Sequence, residues 1–105
     1  MRFTRKNWNK FFDGSNKQTT IRLKKTPTGK KNAYAGSYMK PELLGTFEII
    51  EVRGKKYKDL DVFDAARDGF STLEELKTEL VKLNRIIVLD GIVWIHECRN
   101  VVKVN

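Results

Sequence analysis

Apolar residues fall along this chain at spacings that change, and each spacing predicts an element. Across residues 4–13, Trp8, Phe11 and Phe12 recur at helical intervals, and Gly14 follows where a C-terminal cap is expected. This predicts a short amphipathic helix with its aromatic side on the core. The period then shortens to two. In QTTIRLKK, residues 18–25, Thr19, Ile21 and Leu23 share one face, and Thr20, Arg22 and Lys24 share the other. Ile21 and Leu23 are expected to point inward, which turns Thr20 and Arg22 outward together. Residues 25–41, KTPTGKKNAYAGSYMKP, hold both prolines and little periodicity, and read as a long loop or a loop with a short strand inside it.

The next run, LGTFEIIEVR at residues 44–53, has the β-branched and aromatic content of a strand, and Gly54 with two lysines marks the following turn. A connection through Tyr57 and Leu60 leads to helical signals. Asp61 can cap the short segment VFDAAR, and Gly69 can end it. Ser71, Thr72, Leu73 and Glu74 form a capping box, and Leu73, Leu76, Leu80 and Leu83 continue as a core-facing stripe. Asp90 and Gly91 lie between two apolar runs, RIIVL and IVWIHE, a strong hairpin signal, with VVKV as a last strand. Strands, then a helical pair, then more strands predict an α+β domain built on a small closed or half-closed barrel.

At 105 residues the length suits a single domain spanning 1–105, with one core. Hydrophobic residues make up 40% and charged residues 32%, so a packed fold is expected. There is no apolar run of membrane-spanning length, and the start, MRFTRKNWNK, is basic without the apolar block of a signal peptide. The expected location is the cytosol, with no membrane partner. Cys98 is the only cysteine and His96 the only histidine, which leaves no intramolecular disulfide and predicts no metal and no cofactor.

Charge adds a functional clue. Residues 1–40 hold eleven basic side chains against Asp13 alone, a charge of +10, whereas the remainder holds ten basic and twelve acidic side chains, or −2. The overall +8 thus belongs to one segment. Such a field attracts a polyanion, and nucleic acid is the commonest one in the cytosol, although a solubilising surface without a specific partner fits the same charge.

The ordered features resemble a known family. A helix ending at Gly14, then Lys17, Gln18, Thr19, Thr20, Ile21 and Arg22, then LGTFEI from Leu44, then AARDGFSTLEEL from Ala65 is similar to the ASCH domain family, a relative of the PUA RNA-binding domains. The resemblance covers nearly the whole chain and is most specific at K-x-x-T-I-R and D-G-F-S-x-L-E-E-L. It implies a small PUA-like β-barrel of ASCH type, with an N-terminal helix, a helical pair before the C-terminal strands, and an RNA- or nucleotide-binding cleft facing the K-x-x-T-I-R segment. In one branch, similar proteins are amidohydrolases that remove an acyl group from N-acetylated cytidine with a lysine, a threonine and a glutamate. Matched by position, these roles fall on Lys17, Thr20 and Asp68, the last one methylene shorter than the family's glutamate.

The two functions ask different things of the same residues. For binding, Arg22 offers a bidentate contact to phosphate or a base edge, Lys17 a point charge and Thr20 a hydrogen bond. Lys24, Lys30, Lys31 and Lys40 would flank this cleft, with Tyr34 and Tyr38 as stacking platforms for single-stranded nucleic acid. For hydrolysis, Thr20 would be the nucleophile, Lys17 its base and Asp68 the supporting acid, which requires a lysine pKa well below its ordinary value. Arg22 would lower that pKa and Asp68 would raise it. Lys17 and Thr20, three residues apart, can meet only if Lys17 precedes the strand or a bulge intervenes.

Structural roles compete for every one of these positions. Thr20 also suits a strand for its β-branching alone, Arg22 and Lys24 suit an aggregation-resistant edge, Tyr38 suits the closure of a barrel, and Asp68 suits a turn. Trp8 and Trp94 are assigned to the core, and His96 and Cys98 to structure.

Overall fold

The computed structural model describes residues 1–84 and 87–104. Its elements run in the order α1 (Arg5–Asn9), β1 (Thr19–Arg22), β2 (Gly29–Gly36), β3 (Pro41–Lys56), a 3-10 turn (Tyr57–Asp59), α2 (Val62–Arg67), α3 (Leu73–Leu83) and β4 (Ile92–Lys103). All four strands join one antiparallel sheet in the order β1-β4-β3-β2. The α+β class agrees with the sequence pattern. The barrel does not: the sheet is open, and β1 and β2 remain its two edges. Closure would need a β1–β2 ladder, but part of the outer edge of β2 is already used. Tyr34 N–H donates to the Met1 carbonyl at 2.9 Å and Phe3 N–H to the Tyr34 carbonyl at 2.8 Å, so the first residues of the chain lie along that edge.

The first helix is shorter than its aromatic spacing predicts. Thr4 caps it through a 3.1 Å bond from Asn7 N–H, and after Asn9 the chain winds on through turns to Asp13. Trp8 is buried as expected, and rings of Phe3, Phe11 and Phe47 pack edgewise within about 6 Å of one another or of Trp8. Of the two readings of residues 25–41, the one with a strand inside the loop holds. Eight of these residues form β2, paired with β3 from Gly29 opposite Ile49 to Gly36 opposite Pro41. Its inward side chains are Ala33 and Ala35, too small to register as an apolar period, and a register shift after Ala33 breaks the alternation further.

The expected turn at Gly54 is also replaced by strand. β3 continues to Lys56, with Gly54 opposite Trp94, and a side chain at position 54 would press on the Trp94 ring and on Ile92 at 3.0 Å. Glycine here makes room for an aromatic neighbour across the ladder. Trp94 itself is only partly buried, under Lys25, rather than a core residue. At the far end, Gly91 N–H closes a turn onto the Val88 carbonyl, but the hairpin fails: Val88 and Leu89 belong to no strand, and β4 pairs with β1 and β3 instead. Arg85 and Ile86 of the expected first arm lie outside the described residues. The VVKV segment is no separate strand: its first three residues are the end of β4, beyond Asn100 with φ 52°.

Two apolar clusters cover the sheet. Trp8, Phe3, Phe47 and Ile49 centre one, under α1, and Ile21, Leu76, Leu80, Val93 and Ile95 centre the other, under α2 and α3. Asp61 and Asp64 cap α2 reciprocally, while Thr72, one residue later than the sequence motif suggests, caps α3 through Glu75 N–H. Leu76 and Leu80 are buried, but Leu83 at the end of the stripe is exposed. Buried polar side chains gather beside these clusters: Lys17, Thr19, Thr20, Asp68 and His96.

Candidate functional site

Lys17 reaches its position through the chain before β1. Gly14 and Asn16 both take left-handed φ values, 90° and 57°, which turns the backbone so that Lys17 precedes the strand with its side chain directed inward. Its ammonium donates to the Thr19 carbonyl at 2.7 Å, to the Asp68 carbonyl at 3.3 Å and to the Asp68 carboxylate, an ion pair in which both side chains are almost fully covered. The shorter aspartate therefore does reach the lysine. Asp68 sits at the end of α2 with its second carboxylate oxygen accepting from Ile21 N–H at 3.3 Å, so one side chain ties α2 to both β1 and the preceding turn.

Gly69 makes this approach possible. Its φ is 83°, and a side chain there would meet the Cβ atoms of Lys17 and Lys10 at 3.1 and 3.2 Å. Lys10 is itself buried, donating to the Gly69 carbonyl at 2.8 Å with its ammonium over the Phe70 ring. Nothing in the sequence set Lys10 apart from the other lysines.

Thr20 and Arg22 do share a face of β1, but it is not a solvent face. Thr20 is 4% exposed, because the aromatic N-terminal segment covers this side of the strand as the helical cluster covers the other. Arg22 donates through Nε to Thr20 Oγ1 at 3.0 Å and lies over the Phe3 ring at 4.6 Å. The carbonyl of Thr20 accepts from His96. Thr26 N–H donates to His96 Nε2 at 2.9 Å, so the ring proton must lie on Nδ1, which faces the Thr20 carbonyl at 3.0 Å. Burial lowers the His96 pKa, in keeping with this neutral tautomer.

Lys17, Thr20, Arg22 and Asp68 all line one cleft of about 630 Å³. Its walls come from both edges of the open sheet, β1 and the end of β2 at Ala35 and Gly36, together with α1 and α3. The size lies in the range of small-molecule sites. Burial pushes the Lys17 ammonium down to about 7, with a smaller push from Arg22 and Lys10 and an opposing pull from Cys98. Burial also pushes Arg22 down to about 10 and the Cys98 thiol up to about 11. Loss of water is the largest cause of the downward direction at Lys17.

Sequence patterns missed several cleft residues. Arg2 and Phe3 enter from the extended first residues of the chain, Asn7 from α1, and Glu79 and Leu83 from α3. Asn7 Nδ2 donates to Glu79 at 3.3 Å, while Asn7 Oδ1 is buried without a partner. The helical spacing of α3 carried a signal, since Glu79 adjoins the apolar stripe. Arg2 and Phe3 had none.

The remaining basic and aromatic candidates are elsewhere. Lys24 and Lys40 are exposed and outside the cleft. Lys30 and Lys31 border a second depression with Thr46, Glu48 and Asn100. Tyr34 is half-buried with its hydroxyl accepting from Asn32 at 3.1 Å. Tyr38 closes nothing: it is 89% exposed at the β2–β3 turn, with the Arg2 guanidinium 3.8 Å from its ring centre. No helix among the described residues is long and apolar enough to cross a membrane. Among them, no three His, Cys, Asp or Glu side chains group as a metal site.

Set against this geometry, no family model matches the chain, and no curated protein or solved structure matches it.

Proposed function

We propose that the chain is an ASCH-type, PUA-like domain that binds RNA or a nucleotide, with one nucleoside unit entering the cleft at Thr20 and Arg22. The observation that carries this reading is the convergence of Lys17, Thr20, Arg22 and Asp68, four positions of the two most specific family motifs, in one cleft of nucleotide size. The walls suit such a unit. Phe70, Leu80 and Leu83 offer apolar surface to a ring, and the Glu79 carboxylate, which accepts from Asn7, offers an acceptor to a base N–H. Lys24, Lys30, Lys31 and Lys40 lie outside and serve an attached strand through phosphate contacts alone. Titration of a labelled short single-stranded RNA with the protein should give binding that excess mononucleotide reverses. Binding indifferent to mononucleotide would put the RNA outside the cleft and contradict the reading.

A second reading, the amidohydrolase, draws on a different observation: Lys17 is lowered to about 7 and touches Asp68. Thr20 Oγ would add to the acyl carbon of an N-acylated cytidine and pass its proton to Lys17. The C–N bond would then break with the proton returned to the leaving amine, and water would release the acyl group. All three Lys17 donors are committed to Thr19 and Asp68, so the ammonium must lose its proton and one partner before it can serve Thr20. For that reason binding ranks first. Chromatography of N-acetylated cytidine after incubation with the protein tests hydrolysis directly. Turnover should rise with pH through about 7 as Lys17 deprotonates, and absence of turnover across that range would remove this substrate.

A further inference from the structure

The cleft holds cations without counter-charges. Lys17 is paired with Asp68, and Arg5 with Glu42. Arg22 and Arg2 also line the cleft, yet among the described residues neither forms an ion pair with a carboxylate. Arg22 is the more constrained of the two. Its Nε is occupied by Thr20 and its flat face by Phe3. Among the described residues its terminal nitrogens have no hydrogen-bond partner, and they are not among the buried polar atoms without one, which leaves them open to the cleft. A guanidinium fixed at Nε and on one face presents its remaining fork in a set direction, which is the arrangement that matches a carboxylate or phosphate bidentately. Leaving such a cation partly desolvated and unpaired costs free energy that a bound anion returns.

Arg2 approaches from the mouth. It donates to the Gly36 carbonyl and lies over Tyr38, which holds a second positive charge at the rim of the same cleft. The acceptor facing the apolar wall, the Glu79 carboxylate, belongs to α3 and not to β1. The cleft is therefore two-sided in charge: donors on β1 and the N-terminal segment, the Glu79 acceptor and apolar surface on the helices.

We infer that the cleft ligand is a nucleoside monophosphate whose phosphate is held by the terminal nitrogens of Arg22, with Arg2 completing the anion subsite at the rim. This rests on the nucleotide-binding reading and narrows it, since a neutral nucleoside would leave both arginines unpaired. A monophosphate also suits the size of the cleft, with ring and phosphate each given a complementary wall.

Calorimetric titration of the whole protein with the four nucleoside 5′-monophosphates, their nucleosides and inorganic phosphate tests the inference. The tightest monophosphate should bind about tenfold or more tightly than its nucleoside, the increment expected of a charge-assisted bidentate contact. In Arg22→Gln the ratio of monophosphate to nucleoside affinity should fall to about one, whatever the change in nucleoside affinity itself. Arg22→Lys, which keeps the charge but not the fork, should lie between them, and it carries the test if Arg22→Gln does not fold. Equal affinity for nucleoside and monophosphate in the wild type would overturn the phosphate subsite and leave nucleoside binding standing. Inorganic phosphate binding as tightly as the monophosphate would overturn the nucleotide assignment. No binding of any nucleoside or nucleotide would overturn this inference together with the reading beneath it.

Discussion

The two halves of the basic segment behave differently. Lys10, Lys17 and Arg22 are drawn into the protein, bonded to backbone carbonyls, Asp68 or Thr20, and shifted where burial is deepest. Lys24, Lys25, Lys30 and Lys40 remain in water. One charge total therefore contains two kinds of chemistry. A buried cation has a fixed geometry and a ligand that must complement it, whereas an exposed lysine contributes a field and little selectivity. The difference explains why net charge alone gave so little information about function: it counts both kinds alike.

The largest effect that separates them is on stability. Asp68→Ala leaves Lys17 buried without its carboxylate and should lower unfolding free energy by about 3–5 kcal/mol. The double variant Lys30→Ala/Lys31→Ala should stay within about 0.5 kcal/mol of wild type. Urea denaturation of both measures the contrast, and comparable losses would mean that the pair is not buried as described.

A pH effect of intermediate size follows from Lys17. Its folded pKa, about 7, lies below the unfolded value near 10.5, so between those values the unfolded chain holds a proton that the folded chain has released. Stability should rise with pH across this window. The raised Cys98 thiol acts in the opposite sense above about 9, where the unfolded thiol ionises first. The Met1 amine, lowered from 8.0 chiefly by burial, adds a slope of the same sign up to about pH 8, so the lysine's share is the difference between wild type and Lys17→Met in chemical denaturation from pH 7 to 9. The slope should be positive in the wild type and reduced in Lys17→Met, and an unchanged slope in the variant would assign it elsewhere.

The smallest effect belongs to the rim. Tyr38→Ala touches a ring that is 89% exposed and should change stability by less than about 0.5 kcal/mol. If Tyr38 stacks on a base next to the cleft, RNA affinity should fall by about fivefold to tenfold, read by anisotropy. An unchanged affinity would confine recognition to the cleft itself.

Much of the scaffold was legible in the sequence because its signals are local. Asp61 caps its helix by a hydrogen bond from the residue three positions on, the capping motif at the start of α3 falls within one residue of the true cap, Thr72, and Leu76 and Leu80 face inward by simple helical period. Elements set by partners far along the chain were legible only in part, β2 as one of two alternatives. β2 presents alanines to the core, so its strand period is silent, and Gly54 reads as a turn until Trp94 is seen opposite it. The open sheet depends on Met1 and Phe3 bonding to Tyr34, a contact across more than thirty residues. The site divides the same way. Lys17, Thr20 and Arg22 lie within one short stretch, and Asp68 came from a family motif. Phe3, Asn7 and Glu79, which complete the walls, are joined only by folding.

The central claim is that the buried half of the basic segment is a site and the exposed half its approach. Anisotropy of a short single-stranded RNA, titrated across a salt series with wild type, Arg22→Ala and Lys30→Ala/Lys31→Ala, addresses it most directly. The account predicts that Arg22→Ala loses most affinity at every salt concentration. The double lysine variant should lose affinity mainly at low salt and show a shallower salt dependence, as expected when phosphate contacts are removed. Equal binding by wild type and Arg22→Ala, with both folded, would contradict the claim and reduce the segment to a diffuse electrostatic surface.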